Sequence, residues 1–193
     1  MKRSLLFCFL VLVVAIVPAL ADVTFTWQTA TITIEKMGNN GYNSSFDYLT
    51  LNGLSGSMTL SPGSSQTTTV SNGEFFVGPS CGGCSGDNTW TGTVSRNLTV
   101  GGVTQAVVNP WTLITGDVYD RLAIHDGAPV VFNVSGHSVT VTPFGAAFAP
   151  NDGSVAGLAN LDANFAVPDG GMTLALLGGA LMGLTVLRRK FGV

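Results

Sequence analysis

Between positions 22 and 166, apolar residues alternate with polar ones, most often Thr, at a spacing of two. The alternation runs through positions 23–27 and resumes through positions 30–34. Such a spacing predicts β-strands with one buried face. The apolar positions change from odd to even near Gln28 and Thr29, which predicts a bulge or a crossing between two sheets at that point.

Four dipeptides that contain glycine separate pairs of strand-like segments and predict two-residue hairpin turns. They are Asn52-Gly53, Asn72-Gly73, Gly101-Gly102 and Ser135-Gly136. No segment of this region combines a helical period with capping residues. We therefore predict an all-β fold, an antiparallel β-sandwich of the jelly-roll or immunoglobulin-like kind. Positions 150–162 are predicted to be a loop.

The N-terminus has the three regions of a secretory signal peptide. A basic start, Met1-Lys2-Arg3, precedes an apolar stretch at positions 5–17 and a small-residue site, Ala19-Leu20-Ala21. This pattern predicts cleavage between Ala21 and Asp22. Residues 1–21 are then a signal peptide, residues 22–166 a β-sandwich domain, and the protein is exported.

Residues 167–193 contain a short motif, an uncharged apolar run from Met172 to Leu187, and a basic cluster. The motif consists of Val167, Pro168, Asp169, Gly170 and Gly171, and the cluster consists of Arg188, Arg189 and Lys190. As a helix, the apolar run would be about 24 Å long at roughly 1.5 Å per residue, just short of a usual membrane span. The long Arg side chains can extend it, and their charge favours a cytoplasmic C-terminus. The sequence therefore predicts a C-terminal transmembrane helix.

Together, the motif, the apolar run and the Arg pair resemble the PEP-CTERM class of C-terminal sorting signals, in the variant whose motif is VPDSG. Gly170 stands where that variant has Ser. The resemblance covers only this tail. It implies an exported precursor anchored in the inner membrane, processed by an exosortase-type membrane transpeptidase or protease, and passed to the cell surface or the exopolysaccharide matrix. It implies no activity for residues 22–166.

The predicted domain is acidic, because residues 22–166 contain three basic and ten acidic residues, a net charge of −7. This charge opposes binding to nucleic acid and to anionic lipid surfaces. The many Thr, Ser and Asn residues suit the solvent faces of a secreted β-protein.

Cys81 and Cys84 are the strongest candidates for a redox, disulfide or metal site. A redox pair would need a helix N-terminus or a nearby cation to lower the pKa of the first thiol, and the neighbouring sequence provides neither. We therefore predict a structural disulfide, which suits an exported protein. Zinc would need two further ligands, and His125 and His137 lack a matching spacing. No metal or cofactor is predicted.

Asp117, Asp120 and His125 form a second candidate group, suited to acid–base chemistry or to a Ca²⁺ site. Strand-like apolar residues lie among them, and this favours turn aspartates and an exposed His. The sequence contains no nucleophile elbow, zinc-protease motif or phosphate-binding glycine loop. We predict that the protein is not an enzyme, and a secreted hydrolase that uses these three residues is an alternative.

The aromatic residues leave another alternative open, a membrane-anchored carbohydrate-binding module. Trp27 lies on an apolar face and is predicted to be a core residue. Trp90 and Trp111 could either pack in the core or stack on sugar rings. The preferred interpretation is a non-catalytic cell-surface or matrix protein that its C-terminal signal delivers, with exopolysaccharide as one possible partner.

Overall fold

The computed structural model describes residues 21–35, 37, 48–76, 88–115, 121–148, 157–169, 178–179 and 181–183. From position 21 to position 169, every regular element in these ranges is a β-strand. The strands are β1 (Val23–Thr29), β2 (Ile32–Ile34), β3 (Tyr48–Gly53), β4 (Ser55–Leu60), β5 (Ser65–Phe76), β6 (Asn88–Val100), β7 (Val103–Thr115), β8 (Arg121–Ile124), β9 (Val130–Val134), β10 (His137–Pro143), β11 (Ala146–Phe148) and β12 (Gly157–Ala166).

The strands form two antiparallel sheets of six strands each. The first sheet has the order β11-β8-β7-β6-β1-β4, and the second has the order β2-β3-β5-β12-β10-β9. Phe165 of the second sheet contacts Phe25 and Trp27 of the first, with ring centroids 5.9 and 6.0 Å apart. The sheets therefore pack against each other around a shared core, and the predicted all-β antiparallel fold is confirmed.

The chain crosses from the first sheet to the second between β1 and β2, and returns between β3 and β4. At these crossings the Thr29 amide donates to the Leu54 carbonyl at 2.9 Å, and the Leu54 amide donates to the Val70 carbonyl at 3.2 Å. The buried Thr29 hydroxyl also donates to the Val70 carbonyl. The change of apolar parity predicted near Thr29 is thus a crossing between sheets.

Two of the four predicted hairpin turns are confirmed. Gly101 and Gly102 connect β6 to β7 with φ angles of 56° and 84°, and Ser135 and Gly136 connect β9 to β10 with φ angles of 50° and 82°. Positive φ at both central residues is the geometry of a type I′ turn, whose twist matches that of the paired strands.

The hairpin predicted at Asn52-Gly53 is wrong. These two residues end β3, which belongs to the second sheet, while β4 belongs to the first. A Cβ atom at Gly53 would lie 2.1 Å from the Thr29 carbonyl oxygen. Glycine is therefore required here because two backbones approach closely at the crossing, and not because a turn needs positive φ.

The hairpin predicted at Asn72-Gly73 is also wrong, because both residues lie inside the twelve-residue strand β5. A Cβ atom at Gly73 would lie 2.5 Å from the Phe148 ring, so glycine makes room for an aromatic core residue. The predicted loop at 150–162 is wrong in part, since β12 begins at Gly157. β5 and β12 pair along their length with a register shift between Leu161 and Asp162.

Buried polar residues divide the core into two apolar clusters. One cluster contains Val23, Leu60, Phe165 and Val167 among others, and the second contains Leu49, Phe75, Trp111 and Phe148 among others. Three buried polar residues lie between the two clusters: Ser71 of β5, Arg96 of β6 and Asn109 of β7. We refer to these three residues as the polar layer. The Arg96 guanidinium donates to the Ser71 hydroxyl at 3.2 Å.

Asn109 of the polar layer also replaces a hydrogen-bond donor that β7 lacks at Pro110. Pro110 has no amide hydrogen to donate towards β8, although its carbonyl accepts the His125 amide at 2.8 Å. The Asn109 side-chain amide instead donates to the His125 carbonyl at 2.9 Å. Asn109 therefore allows a proline within an internal strand of the sheet.

Candidate functional site

The sorting motif begins inside the folded domain. Val167 directly follows β12 and is only 3% exposed, packed in the same apolar cluster as Val23 and Leu60. Its amide donates to the Ser64 carbonyl at 3.1 Å, and its carbonyl accepts the Gly63 amide at 2.8 Å. The first residue of the motif is thus held by its side chain and by both of its backbone groups.

The segment that holds Val167 is a tight turn, Ser61-Pro62-Gly63-Ser64. The Ser64 amide donates to the Ser61 carbonyl at 3.0 Å, and Gly63 has a φ of 78°. Proline at the second position and a residue with positive φ at the third are the features of a type II turn. The sequence therefore preorganises this turn locally, and the turn presents an amide and a carbonyl to Val167.

The predicted start of the mature chain lies beside the same turn. The Ser61 hydroxyl donates to the Asp22 carboxylate at 2.7 Å, and Val23 pairs with Leu60 in the ladder between β1 and β4. We refer to Asp22, the turn 61–64 and Val167 to Asp169 together as the terminal corner. The structure therefore places the two predicted processing positions at one end of the domain.

Within the terminal corner, Pro168 and Asp169 are exposed. Asp169 lies next to Gly63, because a Cβ atom at Gly63 would be 3.4 Å from the Asp169 Cβ. The remaining motif residues, Gly170 and Gly171, lie outside the described residues.

Most of the predicted membrane span is likewise outside the described part of the chain. This holds for its end residues Met172 and Leu187 and for the basic residues Arg188, Arg189 and Lys190. Within the span, positions 178–179 and 181–183 are helical, and Leu181 and Met182 are 56% and 47% exposed. Among the residues that are described, no helix has the length and apolar character needed to cross a membrane. Of the predicted signal peptide, residues 1–21, the described part of the chain includes only Ala21.

The outer face of the second sheet presents an aromatic pair. Tyr48 and Phe76 face each other across β3 and β5, with ring centroids 4.9 Å apart and planes 6° from parallel. Both keep more than a third of their surface exposed. The sequence gave no indication of this pair, because the pairing of β3 with β5 is not local.

Three asparagines lie in register on the same face. Asn52 pairs with Asn72, and Asn72 pairs with Asn160, so one row of exposed carboxamides crosses β3, β5 and β12. Thr50, Glu74 and Leu158 form the adjoining row, between the asparagines and the aromatic pair. We refer to these three rows as the outer patch. Carboxamides both donate and accept hydrogen bonds, and such groups match the hydroxyls of a polyol.

The three tryptophans occupy different environments. Trp27 is buried, as predicted, and its ring lies over Gly56 of β4. Trp111 is 9% exposed and lies over Gly92 of β6, which removes it from the residues able to stack on a sugar. Trp90 is 38% exposed near the start of β6.

The predicted chemical residues are only partly described. Cys81, Cys84, Asp117 and Asp120 lie outside the described residues. His125 is exposed, and its Nε2 atom is 2.9 Å from the Thr112 hydroxyl.

The neighbour of His125, Asp126, accepts the Gly145 amide at 2.7 Å and so links the segment after β8 to the connection between β10 and β11. Within the described ranges, no group of three or more His, Cys, Asp or Glu residues could hold a metal ion.

Comparison with known families identifies the C-terminal region. A family model described as the VPDSG-CTERM motif matches residues 166–191. The match is consistent with a PEP-CTERM-type sorting signal, as the sequence predicted, and it implies export and processing by an exosortase. Searches of curated proteins and of solved structures found no significant match.

Proposed function

We propose that the protein is a non-catalytic cell-surface or extracellular-matrix protein that reaches its destination through its C-terminal signal. The observation that supports this most strongly is the VPDSG-CTERM match over residues 166–191, which begins where β12 ends. The basic, apolar and small-residue regions of positions 1–21 support entry into the export pathway.

In the proposed sequence of events, the signal peptide starts translocation and is removed before Asp22. The apolar run from Met172 to Leu187 then halts translocation as a transmembrane helix, and Arg188 to Lys190 stay on the cytoplasmic side. The motif consequently lies on the outer face of the inner membrane. There an exosortase-type transpeptidase or protease separates the folded domain from its anchor.

Replacing the motif carboxylate tests this function. In the native host, Asp169→Ala should raise the fraction of protein that stays in the membrane with its tail attached, because the sorting enzyme loses a charged recognition group. Glu35→Ala, at an exposed carboxylate outside the terminal corner, is the matched control. The intact masses of the membrane and surface forms give the result. A surface form of the wild type that still contains Arg188 to Lys190 would show a permanent anchor and would refute sorting.

A second candidate function is binding of a neutral polysaccharide by the outer patch. It is supported by the partly exposed aromatic pair Tyr48–Phe76 and by the row Asn52–Asn72–Asn160 on the same face. Sugar rings pack their C–H faces on aromatic rings, and carboxamides bond to hydroxyls. The domain's net charge of −7 disfavours an anionic glycan.

The test compares binding to the neutral polysaccharide fraction of the host matrix. Phe76→Ala should weaken binding at least about fivefold, since stacking contacts contribute about 1 kcal/mol or more each. Trp90→Ala is the control, because Trp90 is equally exposed but lies in the first sheet. Equal loss in both variants, or none in either, would contradict a site on the outer patch.

A further inference from the structure

The fold protects the peptide bonds on either side of Val167. The Val167 side chain is 97% buried, as its exposure of 3% shows. Its amide and carbonyl are both bonded to the turn 61–64, and Ala166, just before it, pairs with Ser65 and Thr140 in the second sheet. An enzyme that cleaves a peptide commonly binds it as an extended strand through these same backbone groups. At Val167 the groups are already in use.

The chain is no longer buried after this residue. Pro168 and Asp169 are exposed, and Asp169 lies against Gly63 at the surface of the turn. An approaching enzyme would therefore meet the side chains of Pro168 and Asp169 together with the turn that supports them.

We propose that the terminal corner is the surface that the sorting enzyme contacts, and that the fold restricts cleavage to bonds after Pro168. This inference rests on the proposed sorting function. Val167 then has two roles, since it is part of the recognised sequence and also a core residue that the sorted protein retains. The tail is removed without exposing the apolar cluster to which Val167 belongs.

The covalent step is an acyl transfer. The carbonyl carbon of a residue from Pro168 onward gains a bond to a nucleophile, ultimately water or an acceptor hydroxyl or amine, and loses its bond to the next nitrogen. That nitrogen takes a proton and leaves as the new N-terminus of the tail. No oxidant or reductant is required.

The C-terminal residue of the sorted protein, determined by intact mass and C-terminal peptide sequencing of surface material, tests the cleavage position. We expect the chain to end at Pro168 or later, with the apolar run removed. A sorted form that ends at Val167, Ala166 or earlier would overturn this inference and leave the proposed sorting intact. A surface form with its tail still attached would instead refute the sorting function on which the inference rests.

Two glycine variants test the contact surface. Gly63→Asn places a side chain against Asp169, while Gly136→Asn does not, since nothing lies within 4 Å of a Cβ atom at Gly136. Both glycines have nearly the same φ, 78° and 82°, and asparagine tolerates this region, so the two substitutions impose similar backbone strain.

We expect the ratio of tailed precursor to sorted protein to rise about tenfold in Gly63→Asn, because the added side chain lies on the proposed contact surface and changes how the enzyme positions the motif, and small misplacements strongly slow catalysis. The ratio should not change in Gly136→Asn, and thermal unfolding of the purified full-length chains should shift similarly in both. Equal sorting of the two variants would overturn the terminal corner as the contact surface.

Discussion

Arg96 is a buried cation in a domain that has few cations. Its exposure is 3%, and burial lowers the pKa of its guanidinium to about 10. Among the described side chains, its contact is the hydroxyl of Ser71, which is polar but uncharged. Removing a charge from water costs free energy unless an opposite charge offsets it. We therefore expect the burial of Arg96 between the two clusters to lower the stability of the domain.

Replacing Arg96 by an apolar side chain of similar length should relieve this cost. We expect Arg96→Met to raise the free energy of unfolding by about 1–2 kcal/mol at pH 8. Arg121→Met, at an exposed arginine, should leave it nearly unchanged. Urea denaturation of the purified chains measures both. A variant at position 96 that is less stable than the wild type would show that Arg96 is net stabilising.

The same pair of chains should respond differently to pH. Because the pKa of Arg96 is lowered on folding, the unfolded chain binds the proton more tightly, and the full cost is present below about pH 10. As pH rises through 10, the folded wild type releases the proton and gains stability relative to Arg96→Met. The difference between the two should therefore shrink between pH 8 and pH 10.5, whereas a constant difference would place the effect in packing.

At the scale of elements, this chain requires glycine for two distinct structural reasons. At Gly101, Gly102 and Gly136 the backbone has positive φ, and the sequence predicted those turns correctly. At Gly53 and Gly73 a side chain would collide with another part of the chain. Local sequence cannot separate the two reasons, because the colliding groups, Thr29 and Phe148, are distant in sequence.

The hairpin between β6 and β7 allows the effects of positive φ and of a Cβ collision to be compared within one turn. Gly102→Ala should lower the free energy of unfolding by about 1–2 kcal/mol, the cost of positive φ for a residue with a Cβ. Gly101→Ala should cost about 1–3 kcal/mol more, since its Cβ would also lie 2.4 Å from Val134. Equal losses, measured by chemical denaturation, would mean that the Val134 side chain moves away freely.

A related prediction concerns Gly92, which lies beneath the buried ring of Trp111. A Cβ atom at Gly92 would lie 2.5 Å from the Trp111 ring, so Gly92→Ala should displace the ring and destabilise the domain by about 1–3 kcal/mol. Thr91→Ala, at the exposed neighbouring position, is the control and should change stability by less than about 1 kcal/mol. Near-UV circular dichroism would report the loss of the Trp111 environment, and an unchanged spectrum would contradict the packing argument.

At the scale of the whole molecule, the terminal corner and the aromatic pair lie at opposite ends of β5. β5 begins at Ser65, next to the terminal corner, and ends at Phe76. At about 3.3 Å per residue, the aromatic pair is roughly 35 Å away along that strand. In a precursor tethered through the terminal corner, the aromatic pair of the polysaccharide site proposed above would lie at the end of β5 that is farther from the tether. Such a layout would leave the outer patch accessible before and after sorting.

The dual role of Val167 predicts a sharp dependence of stability on where the chain ends. A domain comprising residues 22–169 should be more stable than one comprising residues 22–166 by about 2–4 kcal/mol, from the buried side chain and two backbone hydrogen bonds. Thermal and urea unfolding of the two purified chains measure the difference. Equal stabilities would mean that the domain does not depend on the motif.

The sequence alone determined the features that depend on local chemistry or on a linear signal. Apolar residues at a spacing of two predict strands, the dipeptides Gly101-Gly102 and Ser135-Gly136 predict hairpin turns, and the sorting motif is matched as a linear sequence over residues 166–191. Only the tertiary structure decided which strands become neighbours. Cross-strand register brings Tyr48 to Phe76 and Asn52 to Asn72 and Asn160, and packing places Val167 beside a turn formed about a hundred residues earlier. These juxtapositions depend on the burial of shared apolar surface between distant segments, which no local pattern specifies.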